Sequence, residues 1–155
     1  MAGTPEERLA DLGIELPPPP KPAAAYVPWR RIGATIFTAG QVPVEGGAVR
    51  YSGLVGAQLT TDQGAEAAEL CARNVLSVAA DAAGGLSGLR AVKLTVFVAS
   101  APGFTEQHVV ANGASELIAK VLGDNGAHAR SAVGMAALPL NAAVEVEGIF
   151  EVLDA

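Results

Sequence analysis

Apolar and polar positions alternate most cleanly near the end of the chain. Residues 143–152 (AVEVEGIFEV) put Val144, Val146, Phe150 and Val152 on one side of an extended backbone and Glu145, Glu147, Ile149 and Glu151 on the other. A two-residue period of this kind predicts a strand covered on one face. Residues 92–98 (VKLTVFV) repeat it, with Val92, Leu94, Val96 and Val98 facing one way and Lys93, Thr95 and Phe97 the other. Residues 33–38 (GATIFT) and 130–137 are shorter strand candidates, and Gly46-Gly47 within residues 43–49 marks a hairpin.

Between these strands the period changes to that of a helix. Ala65, Ala68, Ala72, Val75 and Ala79 recur at steps of three and four with Leu76 beside them, while Glu66, Glu69 and Arg73 take the wet side. Thr60 and Gln63 are spaced as a capping box, and Gly84-Gly85 ends the segment. A second helix carries the stripe Val110, Ala114, Leu117 and Val121. Thr105 is its predicted cap, Phe104 and Val109 its staple, Glu116 and Lys120 a surface pair, and Gly123 its stop. A short, peripheral first helix is predicted from Thr4, Pro5 and Glu7, with Gly13 as its end. Residues 16–24 (LPPPPKPAA) follow as an extended, polyproline-type arm, read as a linker rather than as a ligand for another domain.

The order β-β-α-β-α-β-β predicts an α+β fold in which two helices cover one face of a sheet. Residues 1–25 form the N-terminal helix and arm; residues 26–155 form one domain, as the length of 155 residues suggests. Thr35, Phe37, Thr95, Phe97 and Glu145 then fall on the face without helices. A part-apolar face left bare in a monomer predicts self-association through it.

Half the residues are hydrophobic, much of that Ala and Val, so the core is expected to pack closely from small side chains. The net charge of −6 weakens any nucleic-acid role, because phosphate binding needs a basic surface. Cys71 stands alone, mid-helix among Ala and Leu, and is expected to be a buried, inert thiol. The acidic opening stretch lacks the features of a signal peptide, and no apolar run reaches membrane-spanning length, so a cytoplasmic protein with no membrane partner is expected. Neither GxGxxG, a P-loop nor GxSxG occurs. His108 and His128 are far apart and have no metal-ligand spacing with Cys71.

Arg130 and Glu145 are the residues most suited to chemistry. Arg130 opens a row of very small same-face residues, Ala132, Gly134 and Ala136, which leaves room for a ligand. Its guanidinium would grip a carboxylate in a fork that Lys cannot copy. Glu145, on the neighbouring terminal strand, would orient and deprotonate a water. From spacing alone the plainer reading is a structural salt bridge at a subunit interface. His108 is assigned to a helix surface, and His128 is a bystander or a residue of the pocket rim.

Residues 128–152 (HARSAVGMAALPLNAAVEVEGIFEV), 38–43 (TAGQVP) and 92–112 (VKLTVFVASAPGFTEQHVVAN) together resemble the Rid proteins, also called YjgF or endoribonuclease L-PSP proteins. The resemblance runs over residues 26–152, and the proline arm resembles that of a longer branch of the family. It implies a chorismate-mutase-like fold, a homotrimer with pockets between subunits, and no cofactor. It implies a small-molecule carboxylate as ligand, and hydrolysis of 2-imino or 2-enamino acids to 2-keto acid and ammonia. Arg130 would bind the substrate carboxylate, Glu145 would place the water, Ala132 would offer its backbone, and Tyr26, Gly40 and Asn112 would line the pocket. The family often has Ser where this chain has Ala39, Cys at Ala132 and commonly Pro at His128; these departures make the pocket differ from that of the matching deaminases. A carboxylate-binding trimer without turnover is the second reading, and an endoribonuclease the third.

Overall fold

The computed structural model describes residues 3–21 and 25–154; the last part of the proline arm, residues 22–24, lies outside them. In chain order the elements are α1 (Pro5–Asp11), β1 (Trp29–Ile32), β2 (Thr35–Thr38), β3 (Val44–Glu45), β4 (Ala48–Val49), α2 (Thr61–Ala83), β5 (Leu89–Ala99), α3 (Gln107–Leu122), β6 (Ala129–Met135) and β7 (Val144–Val152). The main sheet has the order β1-β2-β7-β5-β6, and β3-β4 is a separate hairpin turned by Gly46-Gly47. All neighbours in the main sheet are antiparallel except β5 and β6, which run parallel with α3 as their crossover. The α+β fold with two helices over one face is therefore as expected. The first expected strand, residues 33–38, is β2; β1, whose WRRI sequence shows no apolar alternation, was not expected.

Alternation in β7 is kept: Val144, Val146 and Phe150 are buried beneath the helices. In β5 it breaks. Leu89 and Ala91 face the core, and so do Leu94, Val96 and Val98, which are out of phase with them. A bulge between Ala91 and Lys93 absorbs the odd residue, and Val92, expected on the core face, is 42% exposed.

The capping boxes of α1 and α2 form as predicted, with the Thr4 and Thr60 hydroxyls accepting from the Glu7 and Gln63 amides. α3 starts later than expected: Glu106 stands at its cap position and no side chain caps it, so Thr105 has no such role. Phe104 instead packs against the core, close over Gly56. The expected surface pair Glu116–Lys120 forms no ion pair, whereas Glu69 and Arg73 close at 2.8 Å.

α2 is buried more widely than one face, because Leu70, Asn74, Ser77 and Val78 are covered as well. Asn74 donates to the Val42 and Val44 carbonyls and so fastens the β3-β4 hairpin. Ser77 donates to the Pro17 carbonyl at 2.6 Å and fastens the proline arm. α1 is not peripheral. Leu9 enters the core, and Arg8 donates from Nε to the Val121 carbonyl at 2.8 Å. That carbonyl is one of those the α3 C-terminus leaves unpaired, and a cation is favourable there. α2 and α3 meet at backbone distance, since a Cβ on Gly113 would run into the Ala65 carbonyl.

Candidate functional site

α3 presents His108, Asn112 and Ser115 at steps of four and three, a polar row beside its apolar stripe. All three meet Arg130 on β6. Arg130 Nη1 donates to Asn112 Oδ1 at 2.9 Å and to Ser115 Oγ at 3.1 Å; Nη2 donates to the His108 carbonyl at 3.1 Å. Every acceptor is neutral, and no carboxylate among the described residues pairs with the cation. Of the five guanidinium N–H groups, Nε–H and one on Nη2 are left without a partner among the described residues. Nε and Nη2 share one edge of the guanidinium, the edge on which a carboxylate binds through two parallel bonds.

His128 has both ring nitrogens engaged. Nδ1 lies 2.6 Å from the Gly126 carbonyl, and Nε2 lies 2.9 Å from Ser115 Oγ. It is therefore not a free rim donor but stands behind Ser115. The small residues after Arg130 serve packing more than cavity space. A Cβ on Gly134 would meet Gln107 Nε2 at 2.9 Å, and Ala132 packs against the core. β6 pairs with β5 alone and is a sheet edge.

Glu145 is elsewhere. β5 stands between β6 and β7, which separates their backbones by about 10 Å. Arg130 pairs with Leu94, which faces the helices, whereas Glu145 pairs with Phe97 on the open face. The two residues thus lie on opposite sides of the sheet, and no ion pair joins them. Glu145 accepts no hydrogen bond from the described residues. Partial burial, and then the nearby Glu147 charge, raise its pKa above the usual carboxylate range.

Gly40 sits directly on the Glu145 carboxylate, and a Cβ there would overlap Oε1. It is held in place by Gln41, which exchanges backbone hydrogen bonds with Val146. Ala39 donates its N–H to the Pro28 carbonyl at 2.8 Å, which brings in the segment carrying Tyr26; that side chain is 62% exposed. The residues named from the sequence therefore divide into two groups: Arg130, Asn112, Ala132 and His128 at the β6 edge, and Glu145, Gly40, Ala39 and Tyr26 on the β7 side. Ser115 was missed, although its spacing from Asn112 and His108 was a usable signal.

Cys71 is buried and donates weakly to the Val144 carbonyl; burial pushes its thiol well above the ordinary range. Among the described residues no cluster of His, Cys, Asp or Glu is arranged to hold a metal, and no helix is long and apolar enough to cross a membrane. A cavity of about 710 Å³ lies between the proline arm, the β3-β4 hairpin and α2, and none of the candidate site residues lines it.

The open face carries exposed apolar side chains in two places: Phe37, 41% exposed, lies beside Ile149, and Val133 and Met135, 39% and 37% exposed, lie beside Phe97 and Ala99, with Lys93, Thr95, Glu145 and Glu147 between the two.

The fold and the matched sequence make this chain a member of the family described as "YjgF/chorismate_mutase-like, putative endoribonuclease", whose profile matches residues 6–152. It is similar to Protein TCP17 of Trypanosoma cruzi, 47% identical over 145 residues that cover 92% of this chain and 91% of that one. It also resembles the crystal structure of Atu1372 from Agrobacterium tumefaciens, a protein of unknown function, with 49% identity, TM-score 0.89 and coverage of 96% and 92%. The structure of TdcF from E. coli with bound serine superposes with TM-score 0.62 at 25% identity, covering 88% of this chain and 94% of that one.

Proposed function

We propose that this protein hydrolyses 2-imino or 2-enamino acids to 2-keto acids and ammonia, without a cofactor, in a pocket completed between subunits. The observation that carries the reading is Arg130. Its guanidinium is held by three neutral acceptors and keeps its full charge and two unpartnered N–H groups, on Nε and Nη2, for a ligand. A substrate carboxylate would take those donors. Water then adds to the imine carbon, and Glu145 accepts the proton that the water loses. The resulting carbinolamine takes a proton on nitrogen and its hydroxyl loses one, the C–N bond breaks, and ammonia departs to leave the 2-keto acid. The raised pKa of Glu145 makes it a stronger base than an exposed carboxylate. Such imines hydrolyse unaided, so a general-base contribution of about 10²–10⁴-fold is adequate.

Within one chain Arg130 and Glu145 face opposite sides of the sheet, so one substrate cannot touch both. The β6 edge and the exposed apolar side chains Val133 and Met135 beside it support an oligomer, of which a homotrimer is the expected form, that brings Arg130 of one subunit to Glu145 of the next. A carboxylate-binding oligomer without turnover is the second reading; it needs Arg130 and not Glu145, and TdcF with its bound serine favours it. The net charge of −6 disfavours RNA as substrate.

The test is a coupled assay. An amino-acid oxidase generates 2-imino acids in the presence of semicarbazide, and the protein should suppress semicarbazone formation while Arg130→Ala and Glu145→Gln each fail to. Mixing the two inactive variants under subunit exchange should restore activity at about a quarter of the sites, as random pairing of neighbours predicts. No suppression by wild type across several amino acids removes the deaminase reading. Suppression without complementation removes the shared pocket.

A further inference from the structure

The bonds around Ser115 form a directed chain. A carbonyl oxygen only accepts, so the 2.6 Å contact between His128 Nδ1 and the Gly126 oxygen places a hydrogen on Nδ1. A neutral ring then leaves Nε2 as an acceptor, and at 2.9 Å its partner is the Ser115 hydroxyl. With its proton given to His128, the Ser115 oxygen turns its lone pairs to the 3.1 Å bond from Arg130 Nη1. Arg130 thus donates to Ser115, Ser115 to His128 and His128 to Gly126, each bond polarising the next.

The far end of this chain is immobile. Gly126 is buried, and a Cβ there would lie 2.7 Å from the Ala119 Cα and from the Ile118 carbonyl oxygen on α3. Without His128 the Ser115 hydroxyl would be a free rotor, able to turn its hydrogen toward the guanidinium and break the Nη1 bond. Nη1 would then keep only Asn112, and the plane of the guanidinium would be less well set.

We propose that His128 and Ser115 are positioning residues that set the Arg130 guanidinium, with His128 in the Nδ1–H tautomer and Ser115 as the only hydroxyl between them. This rests on the reading of Arg130 as a carboxylate anchor only for its effect on ligand affinity. The tautomer itself is a property of the free protein.

Two measurements decide it. Nitrogen-15 NMR of wild-type protein, with the ring in its neutral form, should find His128 protonated at Nδ1, and the Arg130 Nη resonances split by slow rotation; Ser115→Ala should remove the splitting. Pyruvate, as a stable 2-keto acid probe, should bind His128→Ala about threefold to tenfold more weakly, the worth of one neutral hydrogen bond. His128→Gln, whose amide oxygen stands near the Nε2 position, should recover most of the affinity, and this rescue separates positioning from general loss of packing. An Nε2–H tautomer in wild type overturns the proposal even if a variant fails to fold. So does unchanged pyruvate affinity in His128→Ala when Arg130→Ala abolishes binding. If wild type binds no pyruvate, the carboxylate reading falls, while the tautomer and the Arg130 splitting still judge the positioning chain.

Discussion

The β6 edge and the β7 open face treat charge in opposite ways. Arg130 is tied by three hydrogen bonds from two of its nitrogens, all to neutral groups. Glu145 has no hydrogen-bond donor among the described residues and sits near another carboxylate, with its proton affinity raised by burial. In the proposed function the arginine would bind, because a donor already oriented needs no rearrangement when a ligand arrives. The glutamate would react, because a carboxylate without donors is a better acceptor for a proton. Their placement on opposite faces of the sheet, with β5 between their strands, keeps the two from pairing within one chain. An ion pair between them would spend the donors of one and lower the basicity of the other.

Four experiments would break or sharpen this contrast. Glu145→Gln should lower turnover by about 10²–10⁴-fold and change pyruvate affinity by less than about threefold. Steady-state rates beside calorimetric binding check both numbers, and an equal loss in each would erase the distinction. Arg130→Ala should weaken pyruvate binding by about 100-fold, since a charge-assisted bidentate contact is lost; calorimetry again provides the check. Arg130→Lys should recover little of this.

Gly40→Ala tests the open-face half by crowding. The added methyl overlaps the Glu145 carboxylate, and the cost should be about 1–3 kcal/mol in chemical denaturation. In a Glu145→Ala background most of that cost should vanish; equal costs in both backgrounds would mean that Gly40 is needed for its backbone alone.

The smallest effect is on stability. Because the folded pKa of Glu145 is raised, the unfolded chain ionises first, at about pH 4.3, as pH increases. Wild type should therefore lose stability relative to Glu145→Gln as pH climbs from there through the raised value, and the gap should close again at lower pH. Solvent screening of a half-exposed group keeps this below about 1 kcal/mol. Thermal melts of both proteins at several pH values would reveal it, and a gap that widens on acidification would contradict the shift.

Elements with a strong local pattern were legible in the sequence. The alternation of β7, the apolar stripes of α2 and α3 and two capping boxes all appear where expected, because short-range physics alone sets them. β1 was not legible. Its Arg30 and Arg31 are exposed, and it is a strand because the turn at Gly33 lays it along β2, with Trp29 opposite Thr38. Val92 misled because a bulge is a property of two paired strands rather than of one. For the site, residue types pointed to Arg130 and Glu145, but strand order and facing are tertiary facts. Proximity in sequence suggested neighbouring strands, and the insertion of β5 between them reversed the geometric conclusion. Ser115 escaped notice because one serine on a helix is ordinary until a strand arrives with a donor for it.

The contact between Gly113 and the Ala65 carbonyl has a consequence for how this protein can vary. Asn112 and Ser115 lie on either side of that glycine on α3, so at this point the helix that carries Arg130's acceptors is set against α2 by backbone atoms, with no side chain to trim. A helix set this closely has little room to shift toward α2. Divergence toward new substrates therefore has to proceed by exchanging the polar groups displayed around Arg130 on an unmoving frame. A defect in ligand binding caused by a residue such as Ala at position 113 would be a framing error, one that no substitution in the pocket itself could repair.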